Sequence, residues 1–515
     1  MATPGEKLAE SIEKLKELQD RGVVAIRSND LTQTHRERLA KNQFIKEVLT
    51  GWYIATPDQQ PFGESIAWFT SYWAFCARYL NERFGDNYSI SAEQSLLLHA
   101  GSTVVPQQLI IKTPKGNNSV TNLLQNNSIF VVKTSIPAKS DIQSINGING
   151  LTLPSAITHA LPSFYEKNPV DARTGLMLIK DASMLLEGLL NGGHSRIAGR
   201  LAGAYRNLGQ EKMANEILKT MKSAGYDVRE QDPFLKPTSI KLTPREPSPY
   251  VNRIKLMWEE MRATVISAFP TSQGISTNAE DILAQINDIY ITDAYHSLSI
   301  EKYVVSAALI QKVRSGDWNT NDNEEDKKHK DAMAARGYWE SFQAVEKSIE
   351  LILQGENPGT VADNDHSSWY RALFAPSVTA GLLKPSDLAG YRNNQVYIGN
   401  SAHVPLPKEG VRDAMPVLFQ LLKEEKNAAV RAVLGHFIFV FIHPYMDGNG
   451  RMGRFLMNVM LISGGYPWTI IPVEERDKYM QALESASAQQ DIRPLAEFLA
   501  SLVTDTINGN PKASI

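Results

Sequence analysis

The segment His443-Pro444-Tyr445-Met446-Asp447-Gly448-Asn449-Gly450-Arg451-Met452-Gly453-Arg454 gathers a proton acceptor, a carboxylate, a glycine-lined turn and two guanidiniums in one short stretch. These are the residue types that phosphate chemistry uses. A Gly448-Asn449-Gly450 turn lets backbone N–H groups converge on an anion, and a helix opening near Arg451 adds the positive end of its dipole. Arg451 and Arg454, three positions apart, share a helix face and can grip phosphate oxygens through planar forks. Asp447 offers the hard oxygen that Mg²⁺ prefers beside a nucleotide phosphate. His443 can accept a proton near neutral pH. The competing reading is a glycine-rich loop that merely joins two core helices.

This string resembles the Fic signature, His-Pro-(Phe/Tyr)-x-(Asp/Glu)-Gly-Asn-Gly-Arg-x-x-Arg, with every functional position present. Seven fixed positions and two two-way choices make a chance match rarer than about 10⁻¹⁰ per starting point. The resemblance extends over about half the chain, through His436-Phe437, Gly464-Gly465-Tyr466-Pro467 and Asp491-Ile492-Arg493-Pro494-Leu495. It implies AMP transfer from ATP to a Ser, Thr or Tyr hydroxyl of a target protein, with ATP as substrate and Mg²⁺ as cofactor. In that scheme His443 is the base and Asp447 the metal ligand. Gly448, Asn449, Gly450, Arg451 and Arg454 hold phosphates, and Tyr479 lies where related domains contact adenine. Relatives that phosphorylate their targets tend to carry Lys at the position of Gly450, which disfavours kinase-like transfer here.

Two further segments fit the same resemblance. Gln395-Val396-Tyr397-Ile398, the turn Gly399-Asn400 and the returning His403-Val404-Pro405 look like the Fic flap, a β-hairpin whose open edge pairs with the target. Its expected target-positioning residues are Val396, Tyr397, Ile398 and Gly399. Ser297-Leu298-Ser299-Ile300-Glu301 resembles the inhibitory motif (Ser/Thr)-x-x-x-Glu-(Gly/Asn), with Ser297 and Glu301 on one helical face. The implied brake is a pairing of Glu301 with Arg454 that keeps ATP out of its productive pose. Lys302 stands where Gly or Asn is usual.

The elements that must position these groups read as mainly helical. Apolar periodicity in residues 250–505 predicts an all-helical domain with a β-hairpin flap, including an inhibitory helix around 280–313. A tail of residues 506–515 follows. Prolines spaced through the polar segment 236–249 predict a linker. Ahead of it, residues 1–60 predict a winged-helix-like module. Apolar Leu8, Ile12, Leu15 and Leu18 mark one face of a first helix, Asp30 or Thr32 can cap a second, and Thr50-Gly51 turns a hairpin. Residues 61–235 predict an α+β domain. Together the two resemble the winged-helix antitoxins of abortive-infection type IV toxin–antitoxin pairs.

Composition sets wide bounds. The chain has 515 residues, 43% hydrophobic content and a net charge of −3, so it is not a polyanion binder as a whole. One cysteine, Cys76, excludes an internal disulfide and reads as a small core residue. Glu6 and Glu10 without an apolar core argue against a signal peptide, and a cytoplasmic protein without membrane association is the expectation. Arg36, Arg38 and Lys41 on the second helix leave DNA binding by residues 1–60 open. Self-modification, a homodimer and removal of AMP by the same site stay open as well. The alternative function is a DNA-binding, antitoxin-like regulator whose Fic domain senses nucleotide.

Overall fold

The computed structural model describes residues 3–56, 65–237, 248–272, 274, 278–315, 330–399 and 401–515. Most of the expected linker, residues 238–247, and Asn400 of the expected flap turn lie outside the described residues. The chain forms two units, residues 1–253 with Tyr397–Val404, and Ile254–Val396 with Pro405–Ile515. None of the helices among the described residues is long and apolar enough to cross a membrane.

The first unit opens with helix Pro4–Asp20, started by a reciprocal capping box between Thr3 and Glu6. Its Leu15 and Leu18 pack on Ile26, Leu31, Leu39 and Ile45. Thr32, whose hydroxyl accepts from the His35 amide at 3.3 Å, starts helix Gln33–Lys41. An antiparallel sheet of Ala25–Arg27, Trp52–Ala55 and Ile45–Leu49, in that spatial order, completes the first 56 residues. Arg36 donates to the Ser28 carbonyl at 2.8 Å, and Arg38 to the Lys7 carbonyl and the Ser11 hydroxyl. Two of the three cations behind the DNA expectation therefore spend donors on their own module.

Beyond it, helix Ser65–Phe84 turns Trp68, Tyr72, Phe75 and Leu80 into a core shared with Ile54, Leu109, Ile111, Ile129 and Val131. Cys76 is buried in the same core. The last four of those partners line a four-stranded sheet ordered Ser89–Ile90, Gln108–Thr113, Ser128–Lys133, Ser119–Asn122, whose central pair is parallel. Alternation of buried and exposed residues along Gln108–Thr113 follows the two-residue period of a strand covered on one face.

The second unit is helical, and no strand follows Leu151 among the described residues. Its central helix Ala428–Ile442 buries Val430, Val433, Leu434, Phe437, Ile438 and Phe441. A helix apolar all round can only be surrounded, and it packs against Lys408–Glu424 and Asn449–Ile462. An aromatic cluster of Tyr338, Phe342, Phe455 and Trp468 joins helices Lys330–Leu353 and Asn449–Ile462, with ring centroids 4.8 Å apart for Tyr338 and Phe455.

One helix is shorter than its periodicity suggests. The expected inhibitory helix around 280–313 is two helices, Ala279–Ile300 and Ala307–Ser315. The break is a Schellman cap. Lys302 adopts φ 64°, its amide bonds to the Ser299 carbonyl at 2.9 Å, and the Tyr303 amide reaches the Leu298 carbonyl at 3.1 Å. Apolar spacing continues past this point, but a left-handed residue turns the chain whatever the spacing says.

The flap segment also differs from its expectation. Gln395–Ile398 form no strand. The Gln395 side-chain amide donates to the Pro405 carbonyl at 2.7 Å. Pro405 has no N–H for a ladder, which is one physical reason a regular hairpin is not built here. The returning limb instead pairs within the first unit. His403 forms an antiparallel bridge with Val104, and the Val105 amide donates to the Ala402 carbonyl at 2.9 Å.

Candidate active site

The site is built where helix Ala428–Ile442 stops and helix Asn449–Ile462 starts. His443 ends the first helix in the left-handed region, φ 55° and ψ 61°, with its amide on the Phe439 carbonyl at 3.0 Å. That conformation is uncommon for a side-chain-bearing residue and turns the chain sharply. Two anchors hold it. Tyr445 is buried and its ring stacks on Tyr370 with centroids 3.8 Å apart. Arg392, 2% exposed, donates from Nε to the His443 carbonyl at 2.7 Å and from Nη1 to the Asn394 carbonyl at 3.0 Å, while its amide donates to the Pro444 carbonyl.

His443 Nδ1 lies 3.1 Å from the Val440 carbonyl. A carbonyl can only accept, so Nδ1 carries the hydrogen and Nε2 keeps its lone pair. Burial lowers the imidazole pKa to about 4, so at pH 7 His443 is neutral, with the Nε2 lone pair unprotonated.

Gly448 takes φ 79° as the N-cap of the second helix, and a Cβ there would run into the Phe374 ring. Both facts require glycine. The Asn449 side chain is spent on its own loop, accepting from the Tyr445 amide and donating to the Tyr445 carbonyl, each at 2.9 Å. Any contribution of Asn449 to an anion must come from its backbone. Asp447 accepts from the Gly448 amide at 2.6 Å, and its largely exposed carboxylate lies 3.5 Å from Arg451 Nη2.

Arg454 is buried and fully engaged on one side. Its Nε donates to Ser297 Oγ, and its Nη2 to the Ser297 carbonyl and to Glu301 Oε1, each at 2.9 Å. The Glu301 carboxylate also lies against Gly450, where an added Cβ would strike it. Helix Ala279–Ile300 is held in this place by three anchors. Asp293 accepts from Tyr338 at 2.6 Å and Trp468 at 3.0 Å; His296 Nδ1 accepts from the Val473 amide at 3.1 Å; and Arg476 donates to the Ile300 carbonyl at 2.8 Å. Two buried donors, Arg451 Nε and Arg454 Nη1, have no hydrogen-bond partner among the described residues. Unpaired guanidinium N–H groups are what an incoming phosphate would satisfy.

The structure thus brings together His443, Asp447, Gly448, Gly450, Arg451, Arg454, Ser297 and Glu301 in the second unit. Tyr479 is packed away from solvent, 1% exposed, with its hydroxyl 2.7 Å from His436 Nε2 and its ring stacked against His436 and Phe498. Little of it is open to a base. Val396 is buried, whereas Tyr397 and Gly399 are exposed and Ile398 is half-buried. Sequence reasoning passed over Arg392, which ties the turn at His443 to the start of the expected flap segment. A lone arginine two residues ahead of Asn394-Gln395 carried no periodic signal.

Residues 368–461 match the Fic/DOC family. The protein adenylyltransferase Fic of Drosophila virilis is 37% identical over 132 residues, which are 25% of this chain and 27% of that protein. The protein of the same name from Drosophila melanogaster is 36% identical over 132 residues, 25% of this chain and 26% of its own. The chain therefore spans about a quarter of the length of the curated relatives it matches. Among solved structures, Fic-1 (residues 134–508) of C. elegans aligns with a TM-score of 0.38 and 17% identity, covering 67% of this chain and 96% of that one.

Proposed function

We propose that this chain is a protein adenylyltransferase that moves AMP from ATP to a Ser, Thr or Tyr hydroxyl and is restrained by Glu301. The observation that carries the reading is the pairing of a neutral, lone-pair-bearing His443 with an arginine-lined helix N-terminus whose second arginine is held by a carboxylate. The names of the relatives that match residues around this site support the same reaction class.

In this reading the target oxygen attacks the α-phosphorus of ATP as the bond to the pyrophosphate oxygen breaks. His443 Nε2 takes the hydroxyl proton, and pyrophosphate leaves. Arg451 and the N–H groups that open helix Asn449–Ile462 take up phosphate charge, in a setting where fixed donors need no rearrangement. Arg454 joins them once Glu301 lets go.

Asp447 fits a magnesium ion. Its carboxylate is solvent-facing beside the phosphate donors, and Mg²⁺ commonly takes one carboxylate, phosphate oxygens and water rather than an all-protein cage. When bound, the ion would neutralise phosphate charge.

Incubating the Glu301→Gly protein with ATP labelled at either the α- or the γ-phosphorus, Mg²⁺ and cell lysate tests the reading. Protein-bound label from α-labelled ATP alone supports it. Label from γ-labelled ATP, or none from either, overturns it.

A further inference from the structure

The two arginines of the site are held in opposite ways. Arg454 is gripped by its edge, because Ser297 and Glu301 use its N–H donors. Arg451 lies against two aromatic rings. Its guanidinium carbon lies 5.0 Å from the Tyr303 ring centroid and 5.1 Å from that of Phe374, with the residue 1% exposed. Among the described residues its carboxylate contact is the 3.5 Å approach of Asp447 to Nη2. A cation over an aromatic face is compensated without spending its in-plane N–H groups. Of those donors Nε is buried with no hydrogen-bond partner among the described residues, and it stays available to a planar or tetrahedral anion.

Both rings are themselves fixed. Phe374 abuts Gly448, so tightly that a Cβ there would overlap it. Tyr303 is the last residue of the Schellman cap, its amide on the Leu298 carbonyl, so its backbone is set by the same turn that ends the helix bearing Glu301. Lys330 Nζ lies 5.6 Å from the Tyr303 ring as well.

We propose that Tyr303 is a positioning residue that seats Arg451 against its ring with the guanidinium Nε–H left for the nucleotide phosphates. This rests on the adenylyl-transfer reading, in which Arg451 meets phosphate. The cap therefore does two things at once: Glu301 occupies Arg454, and Tyr303, two residues on, readies Arg451. Without the ring, a long side chain must be ordered when nucleotide binds, and the loss is felt equally in ground and transition states.

The test uses the full chain carrying Glu301→Gly, so that the brake does not mask nucleotide binding. Adding Tyr303→Leu should weaken ATP binding, measured calorimetrically, and raise KM for ATP, each by roughly tenfold, with kcat changed less than about twofold. Tyr303→Phe, which keeps the ring, should restore both to within about twofold of the parent. With Arg451→Ala also present, Tyr303→Leu should have no further effect on ATP binding. Unchanged binding by Tyr303→Leu, an equal loss in Tyr303→Phe, or an undiminished effect without Arg451 overturns the proposal. If Tyr303→Leu unfolds, Tyr303→Met, of similar bulk and without a ring, takes its place with the same expectations. A Glu301→Gly parent that binds ATP yet labels nothing points instead at the adenylyl-transfer reading.

Discussion

If the proposed adenylyl transfer is restrained by Glu301, removing its carboxylate should raise labelling, and the size of the effect follows from one contact. Glu301 Oε1 accepts from Arg454 Nη2 at 2.9 Å, with the arginine side chain 5% exposed and the carboxylate 30%. A charge-assisted hydrogen bond in such a partly dry setting contributes about 1.5–3 kcal/mol. The carboxylate and a nucleotide phosphate compete for the same guanidinium, so a competitor worth about 2 kcal/mol lowers the productive population roughly 30-fold. The helix does not depend on this contact alone, because Asp293, His296 and Ile300 anchor it independently. Glu301→Gly should therefore raise the initial rate of labelling from α-labelled ATP by roughly 30-fold without unfolding the domain. Glu301→Gln, which keeps the shape and loses the charge, should fall between. Arg454→Ala should abolish the gain, and the double variant should match Arg454→Ala alone, since the brake acts through that arginine. A Glu301→Gly rate equal to the wild-type rate, or a double variant that still labels faster than Arg454→Ala, refutes the reasoning.

Other substitutions report on neighbouring parts of the site. Lys302→Gly relieves a left-handed conformation that costs a side-chain-bearing residue about 1 kcal/mol, so it should tighten the cap, raise the thermal midpoint slightly and lower basal labelling by roughly two- to fivefold; faster labelling would contradict this. His443→Ala should cut transfer at least ~100-fold while leaving ATP affinity within about twofold, checked by labelling and calorimetry together. Protonated His443 cannot act as base and its pKa is lowered to about 4 by burial, so kcat/KM should hold on acidification and fall only as pH nears 4; an acid limb centred near 6.5 would contradict the neutral, buried assignment. Fully buried His436, also lowered to about 4, binds a proton more readily unfolded than folded, so the stability it supports is present at neutral pH and lost as pH falls from about 6.5 towards 4, by about 3 kcal/mol at most. Denaturant midpoints across that range should show the loss in wild type and a shallower slope in His436→Gln.

How much of this was legible beforehand depends on how far apart the interacting residues lie. The turn that joins two helices at residues 443–454 is written in adjacent positions, because glycine conformation, helix starts and the spacing of Arg451 and Arg454 are short-range properties. The mainly helical character of the second unit came from apolar periodicity for the same reason. The end of helix Ala279–Ile300 did not, since Leu, Ile and Val continue at helical spacing past residue 301 while Lys302 takes a conformation that lysine does not advertise. Composition likewise predicted strands around Val396, where Pro405 and the Gln395 side chain make other bonds.

What only the tertiary structure decided are the contacts between distant segments. Arg454 meets Glu301 across 153 residues, and Arg392 meets His443 across 51. A family resemblance could suggest the first pairing, but no local rule gives its geometry, and nothing in the sequence pointed to the second. Tyr479 shows the reverse case: its position in the chain suggested a ligand contact, and packing against His436 and Phe498 absorbed it. Tyr303 and Phe374 carried no motif at all, yet both rings close on Arg451. Sequence alone determined which groups could do phosphate chemistry, because that is a matter of residue type and near spacing. Which of their donors are spent, shielded or left open was decided by packing, because burial and hydrogen-bond competition exist only once distant segments share the same space.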